Sequence, residues 1–214
     1  MYDEVRFVQF EAVNRCFWST THMSYQTYTT EALVCGTFNR NTADRSYLLF
    51  TREAGMLYAE ARSVREERSR QRFALQDFSL VRVSLIKGKA TWKIGSIEAK
   101  TNYFATATSK EARGSVVSIF KFLRRFFSGQ EAAPVLFDYV TKALPALASE
   151  ITARDWLEKA LQVRLLLELG YVDTRVVTPD IQLGEFIEIE AQTSPESLRT
   201  METIIAKAIA TSHL

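Results

Sequence analysis

Five arginines crowd eleven residues of this 214-residue chain: the stretch "RSVREERSRQR" holds Arg62, Arg65, Arg68, Arg70 and Arg72 against Glu66 and Glu67. A guanidinium is a planar fork of donors that fits phosphate and carboxylate oxygens. Several of them on one connection can follow a phosphate backbone without reading a base. The same run can also be a solvated loop in which Glu66 and Glu67 pair locally with Arg62 or Arg70. Phe73 follows directly, and an aromatic ring among arginines has the chemistry to stack on a base. A second candidate is "NRNTADR", where Arg40 and Arg45 can touch phosphate and Asn39 and Asn41 can donate or accept; Asn and Asp also favour turns on their own account. Lys87, Lys89 and Lys93 flank Gly88 and read as a hairpin tip with solvating lysines. Tyr47, Tyr58 and Trp92 are further stacking candidates, although aromatics at alternate strand positions usually face a core.

Reactive chemistry is poorly supplied. The chain has two cysteines, Cys16 and Cys35, and two histidines, His22 and His213. That is too few for a disulfide framework or a four-cysteine zinc site, and no metal or other cofactor is expected. There is no phosphate-cradling glycine loop and no nucleophile with a base at readable spacing. The enzyme alternative is a metal-dependent nuclease built on Asp44, Glu53 and Asp77, but turn formation and surface charge explain these carboxylates better, so no catalysis is expected. No apolar run approaches a membrane span, and "MYDEVRFVQF" lacks the pattern of a secretory signal; cytoplasmic residence is expected by default.

The net charge of +2 is unevenly spread: residues 23–104 carry 13 Lys and Arg against 8 Asp and Glu, residues 105–214 carry 12 against 14. The basic candidates therefore sit in the half that would meet an anion. That half reads as strands: Thr30–Phe38, Tyr47–Thr51, Met56–Arg62, Phe78–Gly88 and Thr91–Phe104, the last bent near Gly95. Five short strands with polar turns suit a small closed barrel. After Ala105–Thr108 the apolar period becomes helical. Val116, Ile119, Phe120, Leu123, Phe126 and Phe127 form one stripe behind Ser109 as N-cap. A second helix starts at Pro134 and contains Pro145, a third runs from Thr152 as N-cap with Asp155 three residues on to Gly170, and a last one starts at Ser194-Pro195. Between the last two lies an acidic link that can hold a short extended segment. The plan is α+β, with a five-stranded barrel followed by an all-helical domain. The expected division is 23–104 and 105–214, with residues 1–22 as an extension or a mis-called start whose Phe7, Phe10 and Trp18 could pack on the barrel.

The order of phrases narrows this further. "YTTEALVCGTFNRNTADRSYLLFTREAGMLYAEARSVREERSRQRFALQDFSLVRVSL" resembles the N-terminal domain of the bacterial recombination mediator RecO. The resemblance rests on the Thr51, Glu53, Gly55 phrase closing the second strand, the arginine-rich loop, and the Ala74, Leu75, Gln76, Phe78 phrase. "LFDYVTKALPAL" and "QVRLLLELGYV" resemble that family's paired helices, so the likeness covers Tyr25 to Val172. It implies an OB-fold barrel followed by helices. It also implies binding of single- and double-stranded DNA, annealing of complementary strands and, with RecR, help in loading RecA on strands coated by single-strand-binding protein (SSB). The alternative is an OB-fold adaptor for proteins that has no nucleic-acid binding. The family's four-cysteine zinc module has no counterpart in "VDTRVVTPDIQL". Finally, the resemblance implies that the helical half docks the acidic, hydrophobic-ended tail of SSB. Phe122, Leu161 and Leu165 are candidate walls and Arg124, Arg125 or Arg164 candidate cations; bundle core is the competing role for the apolar three.

Overall fold

The computed structural model describes residues 27–88, 91–177 and 194–212. The expected extension 1–22, Lys89 and residues 178–193 of the acidic link between the last two helices lie outside the described residues.

Five strands form the first half: β1 (Thr27–Asn39), β2 (Arg45–Thr51), β3 (Gly55–Ala61), β4 (Ser79–Lys87) and β5 (Trp92–Asn102). They close into a barrel in the order β1-β2-β3-β5-β4. The first strand serves two neighbours, its C-terminal half pairing with β2 and its N-terminal half with β4. Its register slips between Val34 and Gly36, and the bulge adds the twist that barrel closure needs. The barrel is closed by a short parallel pairing, Ala59 with Trp92 and Glu60 with Lys93. The bend expected at Gly95 coincides with a register shift of β5 against β4 between Val83 and Leu85.

Alternation explains the interior. Ala32, Val34, Leu49, Leu57, Ala59, Val81, Val83 and Leu85 point inward and pack as one cluster, plugged by Val64 and Leu75 from the β3–β4 connection. That connection holds a single turn of helix, α1 (Gln71–Ala74), tied to the barrel wall by the Gln71 amide donating to the Gly95 carbonyl at 2.8 Å.

Outward-facing Leu33, Cys35, Leu48, Phe50 and Met56 join a second cluster with the helices. Strand β2 is therefore buried on both faces, from Tyr47 to Thr51, and this is why it reads as an unbroken apolar run rather than an alternating one. Phe50 sits at the centre of the seam, its ring 4.8 Å from that of Phe127 and 5.5 Å from that of Phe137.

A short helix, α2 (Tyr103–Thr106), leads into α3 (Lys110–Phe126), α4 (Pro134–Ala148) and α5 (Arg154–Glu168); a 3-10 turn (Thr174–Val176) follows, and α6 (Pro195–Thr211) ends the described chain. Ser109 caps α3 by accepting from the Ala112 amide at 3.1 Å, and Ser194 caps α6 by accepting from the Ser197 amide at 3.0 Å. Helix α4 runs through Pro145 to Ala148. Gly170 stops α5 in the left-handed conformation (φ 75°), with its amide on the Leu167 carbonyl and the Tyr171 amide on the Leu166 carbonyl, the paired bonds of a Schellman stop. One expected start is corrected. Helix α5 begins at Arg154 with Ala153 in the cap position and no side-chain cap, so Thr152 does not cap it. Instead the Arg154 guanidinium turns back to donate to the Leu147 and Ser149 carbonyls at the end of α4, which fixes the turn between the helices.

An ion pair also crosses between the two halves outside the apolar seam. Arg52 grips Asp138 of α4 with both forks, Nε to Oδ1 and Nη2 to Oδ2, each at 2.9 Å. This bidentate bond holds the Asp138 carboxyl below its usual range.

Candidate nucleic-acid interface

The arginine run occupies the β3–β4 connection and runs into α1, which holds Arg72; the β1–β2 turn lies beside it. The two segments are bolted together. The Arg65 guanidinium donates to the Asn41 carbonyl at 2.8 Å, the Arg65 amide donates to the Ala43 carbonyl at 3.1 Å, and the Ser63 amide donates to Asp44 Oδ1 at 2.8 Å. Asn41 closes its own turn through bonds to the Ala43 and Asp44 amides. The Asn41 side-chain amide donates to Asp44 Oδ2 at 2.9 Å, and this bond and the one from the Ser63 amide hold the Asp44 carboxyl below its usual range. Arg65 is thus partly a structural staple.

The remaining arginines of the run are presented outward. Arg62, Arg68 and Arg70 are exposed and Arg72 is half-buried. Among the described residues no carboxylate pairs with any of the five, Glu66 and Glu67 included. Phe73 is 64% exposed, and the Arg72 guanidinium lies over its ring at 4.7 Å. A flat cation–aromatic pair of this kind can take a base on its open side.

The other candidates separate. Arg40 is exposed but engaged in an ion pair with Glu60 of β3. Arg45 is half-buried, with its Nε enclosed. Tyr47 is fully buried and cannot stack on anything from solvent. Tyr58 is 56% exposed. Trp92 is half-buried with the Lys87 ammonium over its ring at 5.7 Å.

Phe38, at the end of an apolar strand with no cation beside it in the sequence to single it out, is 44% exposed, and its ring lies 5.9 Å from that of Tyr58. The pair stands on the outer face of β1 and β3, where the helices leave the barrel uncovered. The signal in the sequence is Gly36, two residues before Phe38 on the same face, which leaves room for the ring.

In the helical half, Leu161 and Leu165 are inside the bundle and present no surface. Arg164 pairs with Glu168 at 2.7 Å and lies over the Tyr139 ring at 5.0 Å. Those three serve the bundle itself. Phe122 and Arg125, in contrast, line an open concavity of about 750 Å³ between α3, α5 and α6. Its floor includes Val117, Ile205 and Ile209, and its rim carries Lys110, Arg113, Lys121 and Lys159, with no carboxylate among the lining residues. The Arg125 guanidinium also donates to the Ile209 carbonyl at 3.3 Å, near the end of α6. Arg124, one residue earlier, leans the other way, onto β1 at Gly36.

Asp44, Glu53 and Asp77 do not converge. Asp44 binds the Ser63 amide, Glu53 takes the Thr30 hydroxyl, and Asp77 takes the Thr37 hydroxyl at 2.5 Å. Among the described residues no group of three or more His, Cys, Asp or Glu is placed to hold a metal ion. Nor is any helix among them long and apolar enough to cross a membrane.

A closed five-stranded barrel in this strand order, with its helix between the third and fourth strands, defines an OB-fold protein. Residues 23–103 match the family model for the N-terminal domain of recombination protein O. The match spans the barrel and supports assigning the chain to the RecO family of recombination and repair proteins. No curated protein matches it.

Proposed function

We propose that this protein is a DNA-binding recombination mediator that anneals complementary strands and, together with RecR, helps load RecA onto single strands coated by SSB. The observation that carries the reading is the arginine run: five guanidiniums on one connection of an OB barrel, none paired to a carboxylate among the described residues. Unpaired surface cations side by side repel one another, and a phosphate chain relieves that repulsion. Single- and double-stranded DNA share the backbone these groups would grip, so both are bound.

The concavity of the helical half supports the second contact. An acidic tail ending in an apolar residue needs an apolar floor for its terminal side chain and cations for its carboxylates, and Phe122, Arg125 and their neighbours supply both. The protein works as a bridge, with DNA on the barrel and the SSB tail on the bundle, in the cytoplasm at the nucleoid.

Fluorescence anisotropy with labelled oligonucleotides at stepped salt tests the first contact, and calorimetry with the SSB tail peptide tests the second. Peptide binding without DNA binding would leave a protein adaptor. DNA binding without peptide binding would leave a DNA-binding protein that does not engage SSB through its tail.

A further inference from the structure

Phe38 and Tyr58 are two large rings held out of the core on a part of the barrel wall that stays open to solvent. Inward neighbours on both strands are fully buried, Val34 on β1 and Leu57 and Ala59 on β3, so the two rings are not surplus core. They stand 5.9 Å apart with their planes tilted by 56°, a packed wedge in which the solvent-facing sides of the rings, not the space between them, are open. The wedge rests on Gly36. A Cβ placed there would meet the Phe38 ring at 3.3 Å and Arg124 Nη1 at 3.6 Å. Ring and guanidinium thus lie down together over the same bare backbone, at the bulge in β1. Arg124 comes from the far end of α3, so the site is built by both halves of the chain. Glu60 of β3 is paired with Arg40, and Arg62 follows at the end of β3, where the arginine run begins.

We infer that Phe38, Tyr58 and Arg124 form a site for one unpaired nucleobase and its phosphate, and that this site sets a preference for single-stranded over duplex DNA. The inference rests on the DNA-binding reading above and adds to it a residue-level basis for discrimination. In a duplex every interior base has both π-faces covered by its neighbours, so the exposed ring faces gain nothing from it. An unpaired base has a face to give, and stacking is indifferent to which base it is. Arg124 completes the site by taking the adjacent phosphate. The arginine run grips any backbone, whereas the wedge rewards only a strand whose bases are free.

The test compares the parent protein with Phe38→Leu/Tyr58→Leu, which keeps apolar bulk without π-faces, and with Arg62→Ala/Arg68→Ala/Arg70→Ala. Binding to a labelled single strand and to a blunt duplex is measured at one salt concentration. The ring variant is expected to lose about ten- to a hundredfold on the single strand and less than about twofold on the duplex. The arginine variant is expected to weaken both alike. A 2-aminopurine probe in the single strand should be quenched on binding the parent and not on binding the ring variant. Melting curves check that the variants are folded, and the partial exposure of both rings makes them tolerant positions. If the ring variant keeps the parent's ratio of single-strand to duplex affinity, or loses both equally, the inference fails while the DNA-binding reading stands. If the parent binds neither oligonucleotide, that reading fails and takes the inference with it.

Discussion

Gly55 offers the sharpest test of how the two halves are joined. It sits at the β2–β3 turn with φ 61°, and the Thr51 hydroxyl donates to its carbonyl at 2.9 Å. A Cβ there would fall 2.3 Å from the Glu131 carbonyl oxygen and 2.8 Å from that of Gly129. The linker between α3 and α4 thus lies directly on the turn, and the amide of buried Met56 donates to the Gly129 carbonyl at 2.9 Å. Gly55→Ala has two costs. Holding alanine in the left-handed region costs about 1–2 kcal/mol. The linker must also retreat by about 1 Å, which breaks the Met56 bond and leaves a buried amide unpaired, at about 1–3 kcal/mol. The expected total is roughly 2–5 kcal/mol, a large share of the about 5–15 kcal/mol typical of a whole protein. Urea unfolding should show a lower midpoint with an unchanged slope. Gly55→Asn separates the causes. Asparagine tolerates the left-handed region, so a cost arising in the turn alone would largely vanish, whereas steric contact with the linker predicts a loss close to that of alanine. An alanine variant within about 0.5 kcal/mol of the parent would refute the reasoning.

Other expectations follow from the same structure. If the arginine run neutralises about five phosphates, the logarithm of single-strand affinity should fall with the logarithm of salt at a slope near −3.5, and replacing Arg62, Arg68, Arg70 and Arg72 by alanine should flatten it; anisotropy titrations measure both. Burial pushes the Cys35 thiol up to about 12, so in a Cys16→Ser background a thiol reagent should label the protein only at the rate of unfolding, and rapid labelling of the native state would contradict the packing. The Asp138 carboxyl is depressed in the folded state by Arg52, so its contribution is present above the unfolded-state value of about 4 and is lost as pH falls through the lower folded value; Asp138→Asn should shallow the decline of melting temperature on acidification. Arg125→Glu should abolish binding of the SSB tail peptide in calorimetry and leave duplex binding by the barrel unaltered.

Much of the fold was legible because local signals and tertiary environment agree. All five strands lie where polar turns separate apolar runs, and Ser109, Pro134, Ser194 and Gly170 mark helix ends as their chemistry dictates. The sequence was less informative where a position's face depends on pairing. Tyr47 and Tyr58 are both tyrosines in short strands, yet one fills the barrel and the other faces solvent, because parity is fixed by the register of β2 against β3 and not by composition. Helix α5 is apolar around most of its circumference, so no stripe separated the walls of a surface site from the core, and Leu161 and Leu165 fell inside. The concavity itself draws Ile205 and Ile209 from α6 onto α3, a long-range contact that no local pattern announces. Thr152 failed as a cap because Arg154 secured the same turn from the other side.

The apolar seam of Leu33, Cys35, Leu48, Phe50 and Met56 against α3 and α4 also bears on how such a chain can change over generations. Each half carries residues whose shape is matched to the other, so barrel and bundle are inherited as one part. A chimera that joins this barrel to a relative's helices would meet mismatched volumes around Phe50 and a glycine turn with no linker fitted to it. Substitutions along the seam should arise in compensating pairs. The wall carrying Phe38 and Tyr58, both part-exposed, answers to the bundle through Arg124 and can otherwise be retuned one residue at a time.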